Sequence, residues 1–468
     1  MFIGRKYELD LIRSHLADTK KAQLIILYGR RRIGKSTLIR ESVKQEQRVL
    51  FFEGIEGGRK QDQIDQFLDD LSSQTGRVKL SASNWRDVFR GVGELVEKGR
   101  WVLVFDEFPW MGSGRTKIVS ELKLYWDRWS KNPNVVLFLC GSVASFMLQH
   151  VVHSKALHNR KTLEICLTPL SPSETGKFIS RRSVAEKACL YMTLGGIPKY
   201  LEQIDAKRSL HKNLNRFAFS SNGFFIEEFE TLFKEQFKSI HVYSSIVEAL
   251  AESPANVTAL SEKVGVAKGG GFKKQLENLV HAQFVREYTP VSPSRRARLR
   301  TKMYKLVDPF LIFYFRYVHP NREIIARNSR GEDLFRGIAG ATIQQYYGYA
   351  FERLCEDAMQ NILERLDIRL SDIEAMGPYF QQRRSSQGGL QIDWLIMRRD
   401  KVWTLIEFKY TNTKVGTSVI KEVQQKAIRL NAPQGITIEP VLVSASGVNC
   451  AVEKREYFNQ VLTLSDML

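Results

Sequence analysis

Eight consecutive residues near the start of the chain, Gly29 to Ser36 (GRRRIGKS), have types and a spacing that could bind phosphate. Backbone N–H groups of such a loop wrap an anion, and the two glycines permit the turn and a close backbone approach. Lys35 could reach the β- and γ-phosphates of ATP, and Ser36 could coordinate Mg²⁺. An apolar strand precedes the loop and a helix follows it, as this chemistry requires. We therefore predict an ATP site made of Gly29, Arg30, Arg31, Arg32, Ile33, Gly34, Lys35, Ser36 and Thr37.

An acidic pair, Asp106 and Glu107, follows the apolar run Trp101–Phe105. Acids at the carboxyl end of a parallel strand lie beside the phosphates in folds of this kind. We expect Asp106 to hold the Mg²⁺ ion and Glu107 to orient or deprotonate the attacking water. A glutamate at this position favours ATP hydrolysis over binding alone.

Two further residues are candidates for the same reaction. Ser142 follows the next apolar run and could contact the γ-phosphate or the water. Arg160 could act as an arginine finger, since its charge is fixed and its guanidinium is planar. The sequence leaves open whether Arg160 would act in cis or across a subunit interface.

A second group of residues with metal chemistry lies in the last third of the chain. Asp393 and Glu407 fall in successive predicted strands and could chelate one or two Mg²⁺ ions. Lys409 is two residues after Glu407 in the same strand, so both side chains point the same way. There the lysine could activate water or neutralise developing charge. Glu352, on a preceding helix, would complete the acidic cluster, and Gln424, on a following helix, could help to hold a phosphate.

The elements that must position these residues follow from hydrophobic pattern. Apolar runs at Gln23–Tyr28, Val49–Glu53, Trp101–Phe105 and Val135–Cys140, with a fifth at Ile165–Pro169, alternate with helical patterns and predict a parallel sheet. Residues 169–235 are typical of a small helical lid. Residues 236–325 have the order of a winged helix, with three helices and then a hairpin around the basic loop Ser292–Arg300. Lys273, Lys274 and the Arg295–Arg300 cluster could contact DNA phosphates, or the module could only couple domains.

Composition limits the partners and the location. The 468-residue chain has a net charge of +19, which suggests a polyanionic partner, most often nucleic acid. Its five cysteines are widely spaced, which argues against a disulfide framework and fits a reducing cytoplasm. We expect a cytoplasmic protein without a membrane span, because the apolar runs are only as long as strands.

Several motifs together give the chain its resemblance to the archaeal-type ATPases, P-loop proteins of the AAA+/STAND group. These are FIGRKYEL at residues 2–9, the arginine-rich P-loop, VFDEFPWM at residues 104–111, CGS at residues 140–142, PLSPSE at residues 169–174 and GGIPKY at residues 195–200. The resemblance implies that Ser142 is a sensor, that Arg160 contacts the γ-phosphate, and that Gly196 and Pro198 approach the adenine.

Residues 345–430 resemble the PD-(D/E)XK nucleases, which this ATPase family often carries at its C-terminus. Ile392 replaces the proline of that motif, but Asp393, Glu407 and Lys409 match it. The implied fold class is α/β, with a P-loop AAA+/STAND-like ATPase core (1–168), a helical lid (169–235), a winged helix (236–325) and a restriction-endonuclease-like α/β domain (335–468).

The leading hypothesis is an ATP-regulated, Mg²⁺-dependent nuclease that acts on DNA without sequence preference. The alternative is a STAND-like switch in which ATP drives homo-oligomerisation and the C-terminal domain binds nucleic acid without cutting it. A third, weaker hypothesis is a DNA-binding regulator that acts through the winged helix. The third helix of that module begins Gly269–Gly271 and has few residues that could contact base edges, so the sequence disfavours this regulator.

Overall fold

The structure, a computed structural model, describes residues 2–78, 81–112, 117–237, 239–291, 302–381 and 389–468. By compactness the chain divides into two units. The first comprises Met1–Pro169, Leu232–Ile240 and Glu277–Gln283, and the second comprises Leu170–Thr231, His241–Leu276 and Phe284–Leu468. The predicted division into four domains is finer than this and stays a prediction.

The first 169 residues alternate helices and strands. In chain order these are α1 (Lys6–Ala17), β1 (Gln23–Tyr28), α2 (Lys35–Ser42), β2 (Val49–Glu53), α3 (Lys60–Thr75), α4 (Trp85–Val96), β3 (Trp101–Asp106), α5 (Phe108–Met111), α6 (Ile118–Trp129), β4 (Val135–Gly141), α7 (Ala144–Phe146), a π-helical turn (Met147–Val152) and β5 (Leu163–Cys166).

The five strands form one sheet in the order β2-β3-β4-β1-β5, and every pair is parallel. This confirms the predicted α/β class. Every residue of β1 and β4 is buried, which explains why these strands are continuous apolar runs in the sequence. Aromatic side chains of β2, β3, α3 and α4 form a packed group in the core: Phe52, Phe67, Trp85, Phe89 and Phe105.

The fifth strand lies earlier than predicted. It spans Leu163–Cys166 rather than Ile165–Pro169 and pairs with β1 at the edge of the sheet. Only Ile165 of its four residues is buried, so the apolar run did not mark its limits. Leu167 still donates a backbone hydrogen bond to the Tyr28 carbonyl at 2.7 Å.

The second stretch, from residue 170 to residue 306, is mostly helical and ends in a small sheet. Its elements are α8 (Pro172–Phe178), α9 (Val184–Leu194), α10 (Pro198–Leu201), α11 (Leu210–Ala218), α12 (Glu228–Gln236), α13 (Ile240–Glu252), β6 (Ala255–Asn256), α14 (Val257–Val264), α15 (Gly270–His281), β7 (Val285–Tyr288) and β8 (Met303–Leu306). The three strands are antiparallel in the order β6-β8-β7. The basic loop with the Arg295–Arg300 cluster lies outside the described residues.

The last stretch contains the second large sheet. Its elements are α16 (Pro309–Phe313), α17 (Arg322–Arg327), α18 (Leu334–Ala339), α19 (Ile343–Asp357), α20 (Met359–Arg365), β9 (Ile373–Gln381), β10 (Leu390–Arg398), β11 (Val402–Lys409), α21 (Ser418–Leu430), β12 (Thr437–Ser444), α22 (Cys450–Glu453) and β13 (Gln460–Thr463).

This sheet is mixed, in the order β13-β12-β11-β10-β9. Strands β9, β10 and β11 are antiparallel neighbours, whereas β11, β12 and β13 are parallel. A parallel pair needs a crossover connection, and α21 supplies the one between β11 and β12. Across the described parts of the chain, no helix combines the length and the apolar character needed to cross a membrane.

Candidate functional site

The phosphate-binding motif lies between the end of β1 and the start of α2. Three of its residues have positive φ, namely Gly29 (149°), Arg32 (70°) and Gly34 (86°). A Cβ atom on Gly29 would lie 2.4 Å from the carbonyl oxygen of Leu167, so this position has no room for a side chain. The geometry explains why glycine stands at the start of the loop.

Lys35 begins α2, and its side chain folds back over the loop. Its Nζ donates hydrogen bonds to the carbonyl oxygens of Gly29, at 3.1 Å, and Arg30, at 3.0 Å. The lysine is buried, so its positive charge is held close to the backbone that would wrap a phosphate. This arrangement fits the predicted role of Lys35.

Acidic side chains from two neighbouring strands meet beside the loop. Ser36, Glu53, Asp106 and Glu107 all line one cavity of about 430 Å³. Glu53 ends β2 and is paired in register with Asp106 at the end of β3. Burial raises the pKa of Glu53, and the nearby charges of Asp106 and Glu107 raise it further. The strand ends therefore concentrate negative charge where a cation would be needed.

Glu107 and Ser142, both predicted for the hydrolytic reaction, are in direct contact. The Glu107 carboxylate accepts hydrogen bonds from the Ser142 hydroxyl at 2.7 Å and from its backbone N–H at 3.0 Å. Glu107 has a φ of 46°, which turns it out of the strand. Gln236 donates a hydrogen bond to the Ser142 carbonyl oxygen at 2.9 Å. These contacts fix the orientation of the Glu107 carboxylate in the cavity wall.

Arg160 lies elsewhere. Its guanidinium forms a two-pronged ion pair with Asp127, with Nε–Oδ1 and Nη2–Oδ2 distances of 2.5 and 3.0 Å. This pairing holds the pKa of the Asp127 carboxyl below its usual range. Arg160 is not among the residues that line the cavity. Its role as an arginine finger, in cis or in trans, stays a prediction.

Sequence reasoning missed several residues of the cavity wall. Besides the predicted residues, Glu53, Glu56, Gln66, Trp110 and Glu235 line it. Arg31 of the loop forms ion pairs with Glu56, at 3.6 Å, and with Glu235. Glu53 could have been found, because it ends a strand next to β3. Glu235 lies more than 100 residues from the other residues of the wall except Ser142, and no local pattern signals it.

Gly196 and Pro198 belong to the second unit. A Cβ atom on Gly196 would lie 1.9 Å from the Leu170 carbonyl oxygen, and Leu170 N–H donates to the Gly196 carbonyl at 2.7 Å. This backbone contact alone is a reason for glycine at position 196. The predicted approach of both residues to adenine stays a prediction.

The second candidate site joins β10, β11 and α21 around two carboxylates. Asp393 accepts a hydrogen bond from the Phe408 backbone N–H at 2.9 Å. Glu407 is 1 % exposed, and its carboxylate accepts two hydrogen bonds from Lys426 Nζ, at 2.8 and 2.7 Å. Lys409 Nζ lies 3.0 Å from Glu407 and 2.9 Å from Glu422. Asp393, Glu407 and Lys409 thus lie in one cluster, as their positions in the strands predict.

Three carboxyl groups of this cluster have raised pKa values. Burial raises the pKa of Glu352 on α19 to about 7, and Asp393 adds to the effect. Arg353 lowers the pKa of Glu352, whereas Glu356 and Glu407 raise it. Burial also raises the pKa of Asp393 and Glu407, and the Asp393 charge contributes to the shift at Glu407. Three carboxyl groups therefore share a region that disfavours their ionisation together.

Gln424 does not join this cluster. It is exposed and lies two residues from both Glu422 and Lys426, which places it on the opposite side of α21. In the described ranges it makes no hydrogen bond with Asp393, Glu407 or the lysines. The structure thus gives no support to the predicted contact of Gln424 with a phosphate. The helix residues that do reach the carboxylates are Glu422 and Lys426, whose spacing of four residues puts them on one face.

Each predicted Mg²⁺ site offers only two protein side chains as ligands. Within the described residues, no group of three or more His, Cys, Asp or Glu side chains is arranged to hold a metal ion. Both predicted Mg²⁺ sites use fewer, namely Ser36 with Asp106 and Asp393 with Glu407. Mg²⁺ is commonly held by one or two carboxylates together with water and substrate phosphates.

Two family comparisons cover separate parts of the chain. Residues 2–204 match a family described as an ATPase domain predominantly from Archaea. Residues 314–427 match a family of archaeal and bacterial proteins of unknown function.

Two proteins of Methanocaldococcus jannaschii are similar in sequence. An uncharacterized protein is 25 % identical over 418 residues, which is 88 % of each chain. An uncharacterized ATP-binding protein is 46 % identical over 46 residues, 10 % of this chain and 76 % of that protein.

The chain is similar to several solved structures, among them a Walker-type ATPase of Pyrococcus abyssi. It has a TM-score of 0.49 and 21 % identity and covers 67 % of this chain and 96 % of its own. The ORC2 protein of Aeropyrum pernix has a TM-score of 0.44 and 14 % identity, with 69 % and 94 % covered.

The match over residues 2–204, which include the P-loop, supports ATP binding and hydrolysis. Residues 2–204 are therefore similar to an ATPase domain family found predominantly in Archaea, and residues 314–427 are similar to a second family whose function is unknown.

Proposed function

We propose that the protein is an ATP-regulated, Mg²⁺-dependent nuclease that acts on DNA. ATP bound and hydrolysed at the P-loop would control phosphodiester cleavage at Asp393, Glu407 and Lys409, with Glu352 beside them. The observation that carries the proposal is the cluster of three carboxyl groups with raised pKa next to a lysine. Perturbed acids of this kind are typical of catalytic sites.

In the ATP reaction each residue has a task that its position supports. Lys35 would neutralise phosphate charge, because its ammonium lies against the carbonyl groups of the loop. Glu107 would orient the attacking water and take its proton, and Ser142 holds the glutamate in place. Ser36 and Asp106 are hard oxygen donors in the same cavity, so they suit Mg²⁺.

The acidic cluster of the second unit also suits a divalent cation. Burial raises the pKa of Asp393 and Glu407, and the Asp393 charge raises the pKa of Glu407 further. A cation bound there would relieve this repulsion. When bound there, Mg²⁺ would supply Lewis-acid chemistry at a phosphate. Lys409 would stabilise charge that develops on the phosphate oxygens.

The elements from α13 to β8 would contact DNA as a winged helix. Lys273 and Lys274 are exposed on α15 and are available for phosphate contacts. Such contacts carry no sequence information, in agreement with the proposed lack of sequence preference. A module that only couples domains remains the competing role.

Cleavage is tested with supercoiled plasmid and Mg²⁺, with and without ATP. We expect cutting by the wild type and a loss of about 10²-fold or more in Lys409→Ala. Lys421→Ala is the matched control, because Lys421 is an exposed lysine on α21. Equal activity of wild type and Lys409→Ala would show that the cleavage proposal is wrong.

A second candidate function is a STAND-like switch whose C-terminal domain binds nucleic acid without cutting it. One observation favours it: Lys426 and Lys409 already neutralise Glu407. ATP state would then control self-association. Size-exclusion chromatography with ADP and with a non-hydrolysable ATP analogue tests this function, and an unchanged mass would count against it.

A further inference from the structure

A cavity of about 440 Å³ adjoins the acidic cluster within the second unit. Glu352 and Asp393 lie in its wall, so any occupant would reach the proposed cleavage residues. Its volume is in the range of sites for small molecules, about 300–1,000 Å³. It can hold a single nucleotide but not a base-paired duplex.

Two aromatic rings in the wall are unusually exposed. Tyr349 on α19 is 58 % exposed, and Phe380 on β9 is 40 % exposed. In the part of the chain that the structure describes, neither ring packs on another aromatic ring. Large rings left open beside a cavity are suited to stack on a flat ligand, and every nucleobase has such a face.

Two arginines of the same wall, Arg316 and Arg353, supply positive charge. Neither forms an ion pair or donates a hydrogen bond to any residue in the described ranges. By contrast, the third basic residue of the wall, Lys305, is paired with Glu356. The guanidinium groups are therefore available for a ligand, and their planar geometry matches phosphate.

The spacing on α19 brings these chemistries together. Glu352 and Arg353 follow Tyr349 by three and four positions, so both lie on the same face of the helix as Tyr349. That face presents an aromatic ring, a carboxyl group and a guanidinium to the cavity. The ring suits a base, the carboxyl group suits a metal ion that binds a phosphate, and the guanidinium suits a backbone phosphate.

We infer that this cavity binds an unpaired nucleotide of single-stranded DNA. The base stacks on Tyr349 or Phe380, and the flanking phosphates contact Arg316 and Arg353. The strand then lies beside Asp393, which lines the same cavity. The inference rests on the proposed nuclease function and narrows its substrate to DNA with unpaired bases.

Binding is measured by fluorescence anisotropy of a fluorescein-labelled 16-nucleotide oligo-dT in EDTA, where metal-dependent cleavage cannot occur. Loss of one stacking ring should weaken binding by about 5- to 150-fold, so we expect this of Tyr349→Ala and of Phe380→Ala. Tyr349→Trp should restore binding. Tyr7→Ala removes a ring that is 76 % exposed in the first unit and serves as the matched control.

Three results would overturn the inference. One is unchanged oligo-dT affinity in both alanine variants, with melting temperatures that show them to be folded. Another is an equal loss of affinity for a duplex, since only unpaired bases can stack in the cavity. The third is displacement of oligo-dT by dTMP at equal concentration, which would indicate a mononucleotide pocket. Equal plasmid cleavage by wild type and Lys409→Ala would refute the cleavage proposal alone. The affinity for oligo-dT is measured in EDTA and does not depend on cleavage.

Discussion

Replacing Glu352 with glutamine should stabilise the protein above neutral pH and leave its stability unchanged in acid. The Glu352 carboxyl has a pKa of about 7, against an ordinary value of 4.5, because it is buried and faces Asp393. Glutamine keeps the shape of the side chain and removes the charge. The substitution therefore isolates the electrostatic cost of this one group.

The direction and size of the effect follow from proton linkage. Below pH 4.5 the carboxyl is protonated in both the folded and the unfolded chain, so its charge costs nothing. As pH rises from 4.5 to 7, the unfolded chain releases the proton first, and the free energy of unfolding falls. Each pH unit of that interval is worth about 1.4 kcal/mol, so the cost reaches about 3 kcal/mol at pH 8.

The assay is thermal unfolding in EDTA at pH 5 and pH 8. Glu352→Gln should melt roughly 5 °C above the wild type at pH 8 and within about 2 °C of it at pH 5. Glu364→Gln, an exposed glutamate on α20, is the control and should change neither temperature. An equal rise of the melting temperature of Glu352→Gln at both pH values, or a fall at pH 8, would show that the Glu352 charge does not destabilise the fold.

Three further predictions concern the ATP site. Gly29→Ala places a Cβ atom 2.4 Å from a carbonyl oxygen, so ATP affinity measured by calorimetry should fall at least about tenfold. Glu107→Gln should lower ATP turnover by about 10²–10⁴-fold, and Ser142→Ala should lower it less, with little change in KM for either variant; normal turnover in Glu107→Gln would exclude it as the base. Arg160→Ala should lower turnover while Asp127→Ala does not. Equal effects of the two would indicate an ion pair that is only structural, worth less than about 1 kcal/mol of stability.

Much of the first unit could be predicted because its signals are local. A buried parallel strand is a continuous apolar run, and the P-loop lies entirely within one turn between a strand and a helix. Asp106, Glu107 and Ser142 lie at the ends of neighbouring strands, so sheet order alone brings them together. The predicted bounds of the edge strand β5 differ from the observed ones, because only one of its residues is buried and the apolar run does not mark its limits.

Other parts depend on contacts between distant residues. Glu235 reaches Arg31 across some 200 positions, and Lys305 reaches Glu356 across 51. The sequence of α21 does not say which of its lysine, glutamate and glutamine side chains face the sheet. Only the packing of α21 on β10 and β11 selects Glu422 and Lys426 over Gln424.

The ion pairs of Arg31 have a consequence for how ATP would enter its site. Glu56 and Glu235 both form ion pairs with this guanidinium. A triphosphate that binds Arg31 would replace one of these carboxylates, so ATP binding would exchange one anion for another at this guanidinium. Such an exchange releases few counterions. ATP affinity should therefore depend less steeply on salt concentration than the number of arginines in the loop suggests.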